Sequence, residues 1–375
     1  MILLAILGCV ILAVVLWEAF ETIILPRRVM RRLRLTVLIY RSTWIPWRGI
    51  ARRISKTRRR ESFLSYYGPL SLLFLFAVWA AGIILGFALL DFSAMAEGEA
   101  SRSFATSIYF SGTTMFTLGL GDIAPRTSVG RVLAVVESGL GFAFLALVLS
   151  YLPVIYQTFS RREANIVLLD ARAGSPPTAA ELLRRHTGPG GVEALEHLLR
   201  DWERSSAEIL ESHVSYPVLG YFRSQHNNES WLAALAAILD TSGLLLANVE
   251  SASARQARLT FAICRHTVVD LAQVFHTAPR HGGRERLSAS EYDQLRGLLE
   301  AAGFKLRARE AASQKLAQLR EMHEPYLEAL AQFLAMELPP WILSKEITDN
   351  WRTSAWGRIT GYTSSAGHGT DDHSD

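Results

Sequence analysis

Thr117-Leu118-Gly119-Leu120-Gly121-Asp122 decides the fold, together with what stands on either side of it. Ser103 to Met115, just before it, has helical length and a mixed apolar and polar face, and Ile123-Ala124-Pro125 follows. A helix of that size rises about 20 Å, too little for a bilayer core of ~30 Å. A half-helix followed by extended backbone is tolerated at membrane depth only where protein buries it or water lines it. The question is therefore whether membrane spans flank the stretch.

Three stretches are long and apolar enough to span, at about 20 residues each. They run from about Ile2 to Leu25, Phe63 to Leu90 and Val129 to Phe159. The first is interrupted late by Glu18 and Glu21 and is read as a span, with an interfacial helix as the alternative. Those two carboxylates are expected to pair with Arg27 and Arg28 at the inner interface. Between Pro26 and Arg60 stand 13 Lys/Arg and no Asp or Glu. A basic block flanked by apolar runs faces anionic lipid on the cytoplasmic side rather than nucleic acid. Asp91 to Ser128 is then outside, and Arg161 and Arg162 return the chain inside. The expected location is the cell membrane, multi-pass, with the N-terminus outside and the C-terminus cytoplasmic.

Composition agrees with a membrane part joined to a soluble part. Half of the 375 residues are hydrophobic, yet 20% are charged, too many for spans alone. The two cysteines, Cys9 and Cys264, fall in different expected compartments, which argues against a disulfide. Leu7-Gly8-Cys9 lies too close to Met1, with no basic stretch before it, to be a signal-peptide cleavage box.

After Ser160 the pattern becomes that of an all-helical cytosolic domain. Gly174-Ser175-Pro176-Pro177 is a linker, and Thr178-Ala-Ala-Glu181 reads as a capping box. Trp231 to Val249 resembles a fourth span, but Asp240 at its centre favours a buried core helix. The domains are thus an N-terminal transmembrane helix (1–25), a basic cytoplasmic segment (26–62), a pore domain (63–159), a helical cytoplasmic domain (160–352) and a disordered tail (353–375). Within the pore domain the outer helix is 63–90, the pore helix 103–116, the ion filter 117–122 and the inner helix 129–159. The fold class is an all-α membrane protein.

A partly dehydrated potassium ion needs replacement oxygens, and backbone carbonyls from several chains supply them if all point to one axis. Successive carbonyls on one side require alternating, partly left-handed backbone, which Gly119 and Gly121 reach without a Cβ clash. The Thr117 hydroxyl adds an innermost ligand. The negative end of the pore helix favours a cation beyond it.

The loop resembles that of potassium channels of the two-transmembrane, one-pore-loop type, whose signature is Thr-Val-Gly-Tyr-Gly-Asp. Tyr109 and Phe110 lie where that family has an aromatic pair bracing the filter, and Thr114 and Thr117 match its threonines. Pro125, Gly130 and Arg131 fall at its spacing after the aspartate, and Gly141 matches its inner-helix gating hinge. The resemblance covers about Phe63 to Phe159. It implies a homotetramer, because one pore loop per chain requires four chains, and passive K⁺ conduction with no cofactor and no enzymatic step. Leu120 replaces the family's aromatic, Leu118 its Val or Ile, and Phe116 a common Thr. Leu120 and Phe116 sustain the rival reading, a non-conducting membrane signalling or scaffold protein that keeps the pore fold.

Glu137, mid-span, is either a functional ionisable group or a structural carboxyl supporting the filter from behind. Pro153 offers a second bend beyond Gly141. No span carries Arg at every third position, so no voltage sensor is expected, and no dinucleotide fingerprint follows Ser160. Cys264, His266, His276 and His281 do not share a helical face, so no metal site is expected beyond K⁺ in the filter. The helical domain leaves room for an unidentified ligand.

Overall fold

The computed structural model describes residues 1–25, 35–94, 103–226, 228–249, 254–281 and 285–343. Among these the protein is all-α, with one isolated bridge between Val249 and Leu306. The expected tail, 353–375, lies outside the described residues, as do Arg27 and Arg28. The chain divides into two compact units: 1–162 with 207–223 and 270–277, and the remainder.

In the first unit, α1 (Ile2–Ala19) continues as a π-helical turn through Ile24. Helix α2 (Leu35–Ala51) and the short α3 (Thr57–Ser65) lead into α4 (Tyr67–Ala94), which starts four residues later than expected and ends four later. Helix α1 runs antiparallel to α4 along a seam of small residues. A Cβ on Gly8 would stand 2.7 Å from the Gly86 carbonyl oxygen, and one on Gly82 would stand 2.7 Å from a Val15 methyl. Gly82 and Gly86, four apart, present one glycine face, the arrangement that lets apolar helices approach closely in lipid. Helix α1, the turn after it and α4 are long and apolar enough to cross a membrane.

Glu18 has hydrogen-bond partners of its own on α2, and its expected pairing with Arg27 and Arg28 falls outside the described residues. Its carboxylate accepts from the backbone N–H of Leu35 (3.0 Å) and Thr36 (3.2 Å) and from the Thr36 hydroxyl (2.8 Å). It satisfies the donors at the start of α2, where an anion is favoured. Glu21 accepts from Trp17 Nε1 at 2.8 Å.

The base of α4 carries an aromatic cluster. Trp44 of α2, fully buried, lies 4.7 Å from Tyr67 and 5.1 Å from Tyr221 between ring centroids, and the Tyr67 hydroxyl donates to the Tyr40 carbonyl at 2.8 Å. Tyr221 belongs to a 3₁₀ turn, Pro217–Tyr221. Residues 207–223 therefore group with the membrane helices, although they lie inside the stretch read as one cytosolic domain from residue 160.

Helix α5 (Phe104–Met115) precedes the filter loop, and α6 (Ser128–Ala173) follows it. With 46 residues α6 is roughly 70 Å long, more than twice a bilayer core. It continues fourteen residues past the expected end of the inner helix and passes through Pro153 unbroken.

The second unit includes α7 (Ala179–Arg185), the first part of α8 (Gly191–Ser215), α9 (Trp231–Asn248), most of α10 (Ala254–Val274), α11 (Ala289–Ala301), α12 (Arg309–Glu321) and α13 (Glu324–Leu334). Only half of the expected capping box forms at α7. Thr178 accepts from the Glu181 N–H at 3.2 Å, but the Glu181 carboxylate turns to Arg184 and Arg185. A complete box caps α11 instead, between Ser288 and Glu291. All 18 residues of α9 are buried, with α7, α12 and α13 packed on it. Asp240 within it pairs with Arg286 at 2.6 Å. Apolar length and a paired central carboxylate are what a core helix combines.

Candidate ion pathway

The glycine loop of residues 117–122 is held from three sides. Helix α5 spans about 18 Å and buries Ser107, Phe110, Ser111 and Met115. Ser111 donates to the carbonyl of Ile84 on α4 at 2.9 Å and is hydrogen-bonded to the Glu137 carboxyl of α6. Outer, pore and inner helices thus meet at one hydroxyl, a partner for Glu137 that its sequence position alone did not reveal. Glu137 is fully buried and Asp91 nearly so.

The chain leaves α5 through Phe116 (φ −82°, ψ 8°), with the Leu118 N–H donating to the Thr113 carbonyl at 2.8 Å. Thr117, Gly119 and Gly121 then take φ of +56°, +53° and +77°. Every second residue is left-handed, the alternation that lets successive carbonyls face one side. Among the described residues, nothing beyond the adjacent residues of the chain lies within 4 Å of a Cβ built on Gly119 or Gly121, so conformation rather than crowding is what glycine serves there. Thr117 adopts the same region with a Cβ, at a cost of about 1–2 kcal/mol.

Leu118 and Leu120 are 61% and 63% exposed and Phe116 is 58% exposed. Their side chains have little to pack on within one chain. Tyr109, one of the expected bracing aromatics, donates its hydroxyl to Asp122 Oδ2 at 2.9 Å. Phe110 is buried on the helix side, and Thr114 uses its carbonyl to accept the Thr117 N–H at 3.0 Å. Beyond the filter, Arg131 Nε donates to the Pro125 carbonyl at 3.3 Å, and a Cβ on Gly130 would stand 3.0 Å from that of Pro125. The three positions after the aspartate therefore form one turn.

Gly141 faces the end of the pore helix, where a Cβ would overlap the Met115 carbonyl oxygen. Pro153 lies twelve residues further on, apart from the filter. Of the two acidic residues of the first apolar stretch, Glu18 bonds to the start of α2 and Glu21 to Trp17 of α1, both away from this site. Cys264 is buried, shares a 2.9 Å hydrogen bond with Ser206, and has its thiol pushed up to about 12 by burial.

At the lower end of the first unit, Arg162 is buried. Its guanidinium donates to the carbonyls of Leu219 and Phe222, both at 2.9 Å, approaches His213 Nε2 at 3.1 Å, and lies 5.2 Å from the Phe159 ring centroid. In the sequence Arg162 signals only the inner side of the membrane.

Residues 73–157 match a family model described as an ion channel. That region holds most of α4, all of α5, the filter loop and α6 as far as residue 157. A membrane protein of Bacillus subtilis (strain 168), the uncharacterized YdjJ, is 24% identical over 247 residues, 64% of this chain and 70% of that protein. Its similarity therefore extends beyond the channel-like region. No solved structure matches. The chain is an all-α membrane protein whose channel-like region supports an ion-channel function in general terms.

Proposed function

We propose that this chain is one subunit of a potassium-selective channel, four copies of which close a pore and let K⁺ pass down its gradient. The observation that carries this reading is the left-handed backbone at Thr117, Gly119 and Gly121, in a loop set between a half-helix and a hydrogen bond from Tyr109 to Asp122. An exposed carbonyl ladder of one chain coordinates nothing by itself; four around an axis replace a hydration shell.

Burial favours the same assembly. Only 11% of the most apolar window of α6 is buried, against 50% for the span formed by α3 and α4. Val132, Val135, Phe142, Leu145 and Leu149 are exposed along it. Other copies of α6 and surrounding lipid are suited to cover that face, in a cyclic arrangement where each loop meets the next. The N-terminus is proposed to lie outside and the C-terminus inside. Arg41, Arg52, Arg53, Lys56, Arg58 and Arg59 are exposed on and after α2, suited to anionic cytoplasmic lipid. Gly141 and Pro153 are proposed as points where α6 yields during gating, under control of the helical region.

The test is K⁺ flux in liposomes with ion substitution. Gly121→Ala places a Cβ at φ +77° in every subunit and is expected to abolish K⁺ flux or its preference over Na⁺. Unchanged flux and selectivity in that variant would remove the filter assignment. A wild-type protein that assembles as a tetramer without passing any ion would favour the non-conducting scaffold.

A further inference from the structure

The second unit contains a cavity that the pore reading does not use. Its volume is about 370 Å³, and it lies between α10 and α12. Arg258, Phe261, Ala262 and Arg265 line it from α10 at helical spacing of three and four, so one face of that helix points into it. Lys315, Leu319 and Met322 line it from α12 at the same kind of spacing. The wall is mostly apolar, yet three cations converge on it and no Asp or Glu is among the lining residues.

Those cations have no carboxylate partner among the described residues, whereas Arg286, Arg309 and Arg184 all do. Arg265 Nε is buried without a hydrogen-bond partner among the described residues. Lys315 has its ammonium held below its ordinary pKa by partial burial first, then by Arg307 and Arg258. A folded chain that gathers like charges against an apolar wall pays an electrostatic penalty that an anion would relieve.

We propose that this cavity binds a free, single-tailed anionic amphiphile. A carboxylate or phosphate head is held by Arg258, Arg265 and Lys315, and a tail lies against Phe261, Leu319 and Met322. Charge complementarity fixes the head, and the apolar wall fixes the tail. The volume sits near the lower end of small-molecule sites, ~300–1,000 Å³, with room for one chain and not for a two-tailed phospholipid. The inference is independent of whether the pore conducts, and its test reads binding only.

The full chain in discs of zwitterionic lipid is titrated calorimetrically with decanoate, with the neutral decanol and with inorganic phosphate. Saturable binding is expected for decanoate alone. Arg265→Gln with Lys315→Gln should weaken it about tenfold or more, as expected for two lost charge-assisted hydrogen bonds, with the ligand-free melting temperature little changed. Ala262→Trp, which fills the cavity from its apolar side, should also abolish binding and serves if the double variant fails to fold. Decanol binding as tightly as decanoate, phosphate binding alone, competition by phosphatidylglycerol placed in the disc, or undiminished decanoate affinity in the folded variants would each overturn the proposal.

Discussion

The Tyr109 hydroxyl and the Asp122 carboxylate, thirteen residues apart, are joined by a 2.9 Å hydrogen bond between α5 and the end of the loop that follows it. On the proposed reading, the aromatic whose hydroxyl ties filter to surround in the related signature is replaced by Leu120, and the bond from Tyr109 on α5 takes that part. Tyr109→Phe keeps the ring and removes only the donor. The expected result is a folded protein with an unchanged melting temperature, a lower K⁺/Na⁺ ratio and faster loss of current, with Asp122→Asn intermediate because its carbonyl still accepts. Bilayer recordings under ion substitution check this, and traces that match wild type would show that the bond does not support conduction.

Gly141 is where the inner helix passes the end of the pore helix. Because a Cβ would overlap the Met115 carbonyl oxygen, Gly141→Ala must push α5 away or be rejected by the packing. Overpacking of this kind costs about 1–3 kcal/mol per chain. A lowered melting temperature with loss of flux is the expected pair of results. Were Gly141 only a hinge, the variant would melt as wild type does and differ in open probability alone.

Asp240, buried, and Arg286, largely so, make the pair that lets α9 carry a carboxylate through the second unit. Removing one partner strands the other charge, which typically costs about 3–5 kcal/mol. Arg286→Met should therefore lower the melting temperature sharply, and adding Asp240→Leu should restore much of the loss. A single variant as stable as wild type would mean that the pair is not what secures α9.

His213 is buried, and burial, with the Arg162 guanidinium beside it, holds its imidazole well below the ordinary pKa. The folded state therefore keeps the ring neutral, while the unfolded chain protonates it near pH ~6.5. The stability this confers is present above that value and is lost as the pH falls from it toward the folded pKa. Melting temperatures measured from pH 7.5 down to 5 should fall in wild type and fall less in His213→Gln. His186, also lowered by burial, acts in the same direction, so the difference between the two proteins isolates His213.

Features set by local chemistry were legible in the sequence. Spans follow from apolar length, Gly119 and Gly121 mark left-handed backbone because only glycine takes it freely, and Asp240 separates a core helix from a fourth span. What could not be read depends on residues brought together from far apart. Thr117 shares the glycines' backbone region although nothing in its side chain signals it. Glu18 accepts from the Leu35 N–H, seventeen residues later in the chain, a partner that no local pattern announces. Ser111 is one more hydroxyl on a mixed face until Glu137 is placed beside it. The grouping of 207–223 with the membrane helices goes with long-range contacts, Tyr221 on Trp44 and Tyr67 and the Arg162 guanidinium on backbone carbonyls, which no local pattern announces.

That grouping has a consequence for how the protein is made. The membrane helices emerge from the ribosome first, but the carbonyls that receive Arg162 and the ring that packs on Trp44 and Tyr67 belong to residues 219–222, and the unit is complete only at residue 277. At about 5–20 residues per second, the inserted helices wait roughly ten seconds with a cation and an aromatic patch uncovered. A chain stopped just after Arg162 is not a shorter channel but an unfinished membrane unit, whereas one stopped beyond residue 277 has every segment that the unit needs.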